Sequence, residues 1–284
     1  MILVADSGST KTDWACFSRE GDEVIRFASL GYNPNYISGP LIIADIQSCM
    51  PEDFPIDQVT EINFYGAGVT EMQYPFMKKV LSKVFRNASK ISIAMDTLAS
   101  CRALLGSEAG FAAIMGTGTN TCLYDGTNET LNVDSCGFIL GDEGSGGYLG
   151  KRLITDYIRH NMPSKVYKMV GRVLHKSNEE LIDQVYTRPF PSRYCAQFSK
   201  FIRKKMNTDP YFENLVTDAF TKMFERIVTH YPDYQKYKFN SVGSVSYYYR
   251  DILEKVAANY GMELGIIIQS PMEGLIKFHK ENIL

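Results

Sequence analysis

A pattern that this 284-residue chain runs through twice does most to limit what it can fold into. The first copy opens with Leu3-Val4-Ala5-Asp6-Ser7-Gly8-Ser9-Thr10-Lys11-Thr12 and continues into Trp14-Ala15-Cys16-Phe17, which reads as strand, small-residue turn, strand. The second opens with Phe111-Ala112-Ala113-Ile114-Met115-Gly116-Thr117-Gly118-Thr119-Asn120 and runs into Cys122-Leu123-Tyr124. Laying Gly8 on Gly118 matches Ser7-Gly8-Ser9 with Thr117-Gly118-Thr119. Downstream, residues 62–69 and 239–245 are each a short apolar run entering a glycine turn, at Gly66 and Gly243. Residues 90–97 and 264–270 are each a strand-like run ending in a polar pair, Asp96-Thr97 and Gln269-Ser270. Three signals in one order, twice, mark an internal duplication of an α/β unit.

The copies differ in length. Gly8 and Gly66 are 58 positions apart and Gly118 and Gly243 are 125 apart, so the second copy carries 67 extra residues. Within them Phe212, Leu215, Val216, Ala219, Phe220, Met223 and Ile227 recur at helical spacing and predict one apolar stripe facing a core, closed by Pro232. The predicted division is an N-terminal lobe over 1–110 and a C-terminal lobe over 111–284, with the last helix, near Pro271 to Lys280, free to pack back on the first lobe.

Composition narrows the function. Thirty basic and 32 acidic side chains leave a net charge of −2 with no long Lys/Arg tract, which argues against nucleic-acid binding. The six cysteines form no CxxC pair, as expected of reduced thiols in a cytoplasm. No apolar stretch approaches membrane-spanning length, and the run Ile2-Leu3-Val4-Ala5 has no basic segment before it, so neither export nor a membrane partner is expected. His160, His175, His230 and His279 lack ligand spacing and read as surface or packing residues. Oligomeric state is left open, a homodimer included.

Two such lobes could bring their hairpin tips face to face across a cleft, a natural way to hold a polyphosphate. Glycine lets the backbone approach phosphate oxygens, and N–H groups with Ser and Thr hydroxyls donate to them. Either tip alone also reads as an ordinary hairpin turn.

At these residues the chain resembles the actin-like sugar kinase and Hsp70 ATPase superfamily, and within it the BadF/BadG/BcrA/BcrD ATPase family in its N-acetylglucosamine kinase branch. The resemblance runs along the whole chain. It rests on Asp6-Ser7-Gly8-Ser9-Thr10-Lys11-Thr12, on Met95-Asp96-Thr97, on Gly116-Thr117-Gly118-Thr119-Asn120, on Gly141-Asp142-Glu143-Gly144-Ser145-Gly146 and on the adenosine turn Val242-Gly243-Ser244-Val245. It implies two lobes of the ribonuclease H-like, actin-like ATPase fold around a nucleotide cleft, and a kinase that moves the γ-phosphoryl group of ATP, with magnesium, to a hydroxyl of a small-molecule amino sugar.

The resemblance also implies roles. Asp96 is the base for the acceptor hydroxyl; its counterpart in the second copy, Gln269, cannot take a proton, and the competing reading is a cap on the helix that follows. Asp6 stands near the metal, through a water, or closes an Asx turn. Ser9, Thr10, Lys11 and Thr12 match the first phosphate loop, Gly116, Thr117 and Gly118 the second, and Gly243 with Ser244 the adenosine turn. Lys11 reads equally as a solvated charge. Asn35, Asn120 and Asp142 are the implied sugar contacts, against a plain turn at Asn33-Pro34-Asn35 and a capped helix start at Asp142-Glu143-Gly144-Ser145. Two other functions stay open: an ATPase activator holding an iron–sulfur cluster, with Cys101, Cys122 and Cys136 mid-chain, and a sugar sensor without catalysis.

Overall fold

A computed structural model describes residues 1–8, 10–21, 23–34 and 37–282. The chain forms two compact units, one of Met1–Ala109, Asp125–Glu129 and Ser270–Leu284, the other of Gly110–Tyr124 and Thr130–Gln269.

The first unit is built on β1 (Ile2–Ser7), β2 (Lys11–Phe17), β3 (Val24–Leu30), β4 (Glu61–Gly66) and β5 (Lys90–Met95). They form one sheet in the order β3-β2-β1-β4-β5, antiparallel up to β1 and parallel from β1 to β5. Strand β1 is apolar over Ile2-Leu3-Val4-Ala5 and buried on both faces, as a central strand covered by helices requires. One face carries α1 (Gly39–Cys49) and α2 (Tyr74–Val84), and its core centres on Trp14, which stacks on Phe27 at 5.4 Å. The other face carries α3 (Asp96–Leu105).

The second unit repeats the plan. Strands β6 (Gly110–Met115), β7 (Thr119–Tyr124), β8 (Glu129–Leu131), β9 (Phe239–Val242) and β10 (Leu264–Ile268) are ordered β10-β9-β6-β7-β8, the first sheet's order with the second copy's strands in the matching places. Its helices are α4 (Gly137–Leu140), α5 (Gly146–Ile158), α6 (Ser164–Leu174), α7 (Asn178–Tyr186), α8 (Pro191–Ala196), α9 (Phe198–Lys205), α10 (Pro210–Arg226), α11 (Ser244–Tyr248) and α12 (Arg250–Asn259). The stripe from Phe212 to Met223 is buried on α10. That helix ends at Arg226, before the expected stop at Pro232, because Ile227 leaves helical geometry at φ −123° and a short 3₁₀ turn, Val228–His230, follows.

Strand register corrects two equivalences. Ser7 pairs with Thr12 and with Gly66, whereas Met115 pairs with Thr119 and lies one step beyond the Ile114–Val242 pair, opposite Gly243. Ser7 therefore corresponds to Met115, and Gly8 to Gly116 rather than Gly118. The first tip has one residue more than the second, which local composition hides. By the same register Gly66 pairs with Met95 and Val242 with Ile268, so Ser270, not Gln269, is the counterpart of Asp96. Serine at that place is no carboxylate base either.

The chain returns to the first unit at Ser270, and α13 (Met272–Glu281) packs on α3, β1 and β2. Gly274 permits the close approach, since a Cβ there would overlap the Ala103 carbonyl. Arg19 donates to the carbonyls of His279 and Asn282 at 2.7 and 3.0 Å. Arg102 donates to the Tyr65 hydroxyl at 2.7 Å, and that hydroxyl lies 2.8 Å from His279 Nε2. His279 is fully buried, and burial first, then the Arg102 charge, pushes its pKa down from 6.5 to about 4. The unfolded chain takes up this proton below pH 6.5 and the folded chain does not until about pH 4. Stability held by the neutral ring is therefore present above pH 6.5 and lost as pH falls toward 4, by up to about 3 kcal/mol at about 1.4 per pKa unit. Thermal midpoints of wild type and His279→Gln between pH 7 and 4.5 check this: the wild type should fall more steeply, and parallel slopes would refute it.

Candidate active site

The tip joining β1 to β2 is held from inside. Ser7 and Thr12 are fully buried; the Thr12 hydroxyl donates to the Leu30 carbonyl at 2.7 Å and lies 2.8 Å from the Ser7 hydroxyl, which accepts the Tyr32 N–H at 3.0 Å. Thr12 thus serves the shape of the turn. Gly8 N–H donates to the Lys11 carbonyl at 2.9 Å, and Thr10 is exposed. Lys11 reaches both carboxylate oxygens of Asp13, at 2.8 and 2.9 Å, and its side chain is 65% exposed. Such a pair is worth less than about 1 kcal/mol and is easily exchanged for a stronger anion. Ser9 and Asn35 lie outside the described residues.

Asp6 follows the buried apolar run Ile2–Ala5 of β1 and is partly buried. Burial, then the charges of Asp96 and Asp13, push its carboxyl up to about 7, with Lys11 opposing. A carboxylate crowded by others gains from a cation beside it, and magnesium needs only one or two carboxylates when phosphate oxygens and waters complete its shell. The donor set at Asp6 fits that ion.

Asp96 is the first residue of α3, directly after β5, and Met95 is the N-cap. No side-chain hydrogen bond caps the helix start. Burial, then the Glu129 charge, raise the Asp96 pKa to about 6, against the opposing pull of the nearby Thr97 and Asp96 backbone N–H groups. A carboxylate near pH 6 is ionised at neutral pH yet holds a proton far better than an exposed one. Glu129 accepts the Thr97 hydroxyl at 2.6 Å and is itself pushed up by burial.

In the second unit the GTGTN and GDEGSG segments are one construction. Gly116 N–H donates to the Gly118 carbonyl at 3.0 Å, closing the tip. The first N–H groups of α5, at Gly146 and Gly147, donate to the carbonyls of Gly116 and Thr117 at 2.8 and 2.9 Å, so the helix start props up the tip. Ser145 caps α5 by accepting the Tyr148 N–H at 3.0 Å. Asp142 bends the chain at φ +56° and, 7% exposed, turns its carboxylate to the Thr119 N–H at 3.2 Å. Burial raises its pKa against that bond and one from Ser135. Thr119 donates to the Glu143 carbonyl at 2.8 Å, and the buried Glu143 carboxylate accepts Arg226 at 3.0 Å. Asn120 Oδ1 accepts from Asn132 and from the Thr121 N–H at 2.8 and 3.0 Å.

Gly243 sits at φ +133° between β9 and α11, where a Cβ would overlap the Met115 carbonyl. Only glycine brings this turn against the end of β6, the strand that leads into the Gly116–Gly118 tip. Ser244 is exposed; Tyr247 and Tyr248 are half exposed, while Tyr249 is buried with its hydroxyl donating to the Ser199 carbonyl at 2.7 Å.

Within the first unit the structure gathers Asp6, Asp13, Asp96 and Glu129; within the second it gathers Gly116, Thr117, Gly118 and Asp142. Glu129, Thr97 and the Glu143–Arg226 pair escaped sequence reasoning. Glu129 stands in Asp125-Gly126-Thr127-Asn128-Glu129, a stretch that reads as a polar turn and nothing more.

No protein-family model matches the sequence, and no curated protein matches it. Among solved structures, one from Porphyromonas gingivalis described as a "putative N-acetylglucosamine kinase" is similar at 35% identity and TM-score 0.93, over 99% of each chain. A protein of the same description from Chromobacterium violaceum shares 15% identity at TM-score 0.75 over 98% of each chain, and the ethanolamine utilization protein EutJ from Carboxydothermus hydrogenoformans 14% at TM-score 0.56, over 98% of this chain and 88% of that one. The last two share the fold, that of actin-like ATPases. At its identity and full-length coverage with the Porphyromonas gingivalis protein, this chain belongs to the same family as that protein.

Proposed function

We propose that this chain transfers the γ-phosphoryl group of ATP to a hydroxyl of an amino sugar, N-acetylglucosamine first, and that it stands in the N-acetylglucosamine kinase branch of the BadF/BadG ATPases. The observation that carries the chemistry is the Asp96 carboxylate, placed at a strand end with its proton affinity raised. Likeness to the Porphyromonas gingivalis protein supplies the sugar.

Phosphoryl transfer asks for positioning and charge neutralisation more than covalent chemistry. Asp96 accepts the proton of the sugar hydroxyl as its oxygen bonds to the γ-phosphorus. The bond to the β–γ bridging oxygen breaks, ADP leaves, and Asp96 then returns the proton to solvent. The backbone N–H groups of Thr10, Thr117 and Gly118 and the hydroxyls of the two threonines are the phosphate donors, and Lys11 exchanges Asp13 for a phosphate. Gly243 and Ser244 would meet the adenosine. Magnesium would be held near Asp6 through a water and supplies charge neutralisation when bound. Asn120 and Asp142, with Asn35, would take the sugar; a buried carboxylate retains lone pairs beyond those spent on Thr119 and Ser135, and leaving them unpaired discriminates against sugars without the hydroxyl.

The activator reading needs cysteines at a subunit interface. Of the three mid-chain cysteines Cys101 and Cys122 are buried in cores and Cys136 is exposed, which favours the kinase. The thiols are free, in keeping with a cytoplasmic site, and no helix among the described residues is long and apolar enough to cross a membrane.

An ADP-release assay over a panel of amino sugars tests the reading. Sugar-dependent ADP with one phosphorylated sugar formed per ADP is expected. Binding of ATP and sugar with no phosphorylated product would make the protein a sensor, and ADP release indifferent to sugar would make it an ATPase.

A further inference from the structure

Residues Asp125–Glu129 belong to the first unit, although the strands on either side pair in the second sheet. This segment is stiff and docked at two points. Asp125 closes it by accepting the N–H groups of Thr127 and Asn128 at 2.8 and 2.7 Å, and Asp125 N–H donates to the Asn128 carbonyl at 3.1 Å. Gly126, at φ +100°, lies so close to the backbone just past α3 that a Cβ would overlap the Ser107 carbonyl. At its far end Glu129 accepts the hydroxyl of Thr97, a buried side chain in the first turn of α3. The strap therefore touches α3 next to Asp96 and again just beyond its last turn.

A base on a helix start is exposed to fraying, since the first turn has N–H groups without helical partners. Here the residue after the base is tied down by a charge-assisted hydrogen bond, which is shorter and stronger than a neutral one. We infer that Glu129 is a positioning residue: through the Thr97 hydroxyl it fixes the first turn of α3 and with it the direction of the Asp96 carboxylate toward the acceptor hydroxyl. The inference rests on the reading of Asp96 as base. Glu129 touches no reacting atom in this scheme, so its loss should slow the chemical step and leave binding alone.

The test uses Glu129→Ala, Glu129→Gln, Thr97→Val and the double variant Glu129→Ala/Thr97→Val in the full chain. Misplacing a reacting group by about 1 Å can slow a reaction by about a hundredfold. Glu129→Ala and Thr97→Val should each lower kcat by about tenfold or more, with KM for sugar and ATP within about twofold of wild type. The double variant should be no slower than the worse single one, as for two ends of one bond. Glu129→Gln, whose amide oxygen still accepts the hydroxyl, should be at least about fivefold faster than Glu129→Ala, which loses the same charge beside Asp96 but also loses the acceptor.

Hydrogen exchange over residues 94–102 supplies a readout independent of turnover: exchange should quicken in Glu129→Ala and Thr97→Val and stay near wild type in Glu129→Gln. A kcat for Glu129→Ala within about twofold of wild type, a raised KM at constant kcat, or unchanged exchange at α3 would overturn the inference. Wild type that phosphorylates no sugar would instead defeat the kinase reading, and the exchange data would still decide whether Glu129 holds the turn.

Discussion

Asp96→Asn is expected to lower sugar-dependent turnover by at least about a hundredfold while the dissociation constant of an ATP analogue moves less than about threefold, the pattern of a lost general base. Asparagine keeps the shape, and the start of α3 has no side-chain cap hydrogen bond to lose, so α3 should begin where it does now. What it cannot do is take a proton. Turnover within about tenfold of wild type would remove Asp96 from the role.

The same substitution should stabilise the protein without ligands. A carboxyl raised from 3.8 to about 6 is one that the folded state prefers protonated. Between pH 3.8 and 6 the folded chain binds more proton than the unfolded one, so the penalty grows through that window and is complete above it, at about 1.4 kcal/mol per unit. Asparagine removes the charge that Glu129 opposes. Its thermal midpoint should exceed that of wild type at pH 8, by the equivalent of about 1–2 kcal/mol after relaxation of the site, and the gap should close near pH 4. A site that trades stability for reactivity behaves in this way.

Gly243→Ala carries the largest expected effect on folding. The position combines a backbone angle that side chains rarely adopt with a Cβ that would overlap backbone, the Met115 carbonyl, which has no rotamer to move to. Strain of that kind costs about 1–3 kcal/mol, and displacing the end of β6 adds to it. A fall in thermal midpoint of about 6–12 °C is expected, at roughly 2–4 °C per kcal/mol for a chain of this size, together with weaker ATP binding. Gly116→Ala is the control. A Cβ there meets nothing within 4 Å, so that variant should keep the wild-type midpoint and lose ATP affinity alone, as expected of a glycine that lets phosphate approach. Equal midpoints for Gly243→Ala and wild type would show that the turn relaxes freely.

The duplication was legible because each of its signals is local. Apolar runs of four or five residues, a glycine where the strand must turn, and a polar pair where a helix must start can all be seen along the chain. The GTGTN and GDEGSG segments and Asp96 stood out through a family resemblance carried by contiguous residues, and the roles proposed for them rest on that resemblance. Register was not legible. Whether Gly8 corresponds to Gly118 or to Gly116, and Asp96 to Gln269 or to Ser270, turns on one-residue shifts that only paired strands reveal.

The sites that escaped all depend on contacts distant along the chain. Glu129 acquires its place beside Asp96 because a polar turn docks on Ser107 and Thr97, 19 and 32 positions away, and no spacing rule joins those residues. His279 reads as an isolated histidine near the end of the chain, yet α13 buries it against Tyr65 and Arg102 and strips its ring of charge. The order of elements and the identity of the polar tips follow from backbone propensity and hydrophobic period, which act over a few residues. Proton affinity, the bracing of α3 and the propping of the Gly116–Gly118 tip by α5 follow from burial and long-range hydrogen bonds, which exist only once each unit has packed within itself.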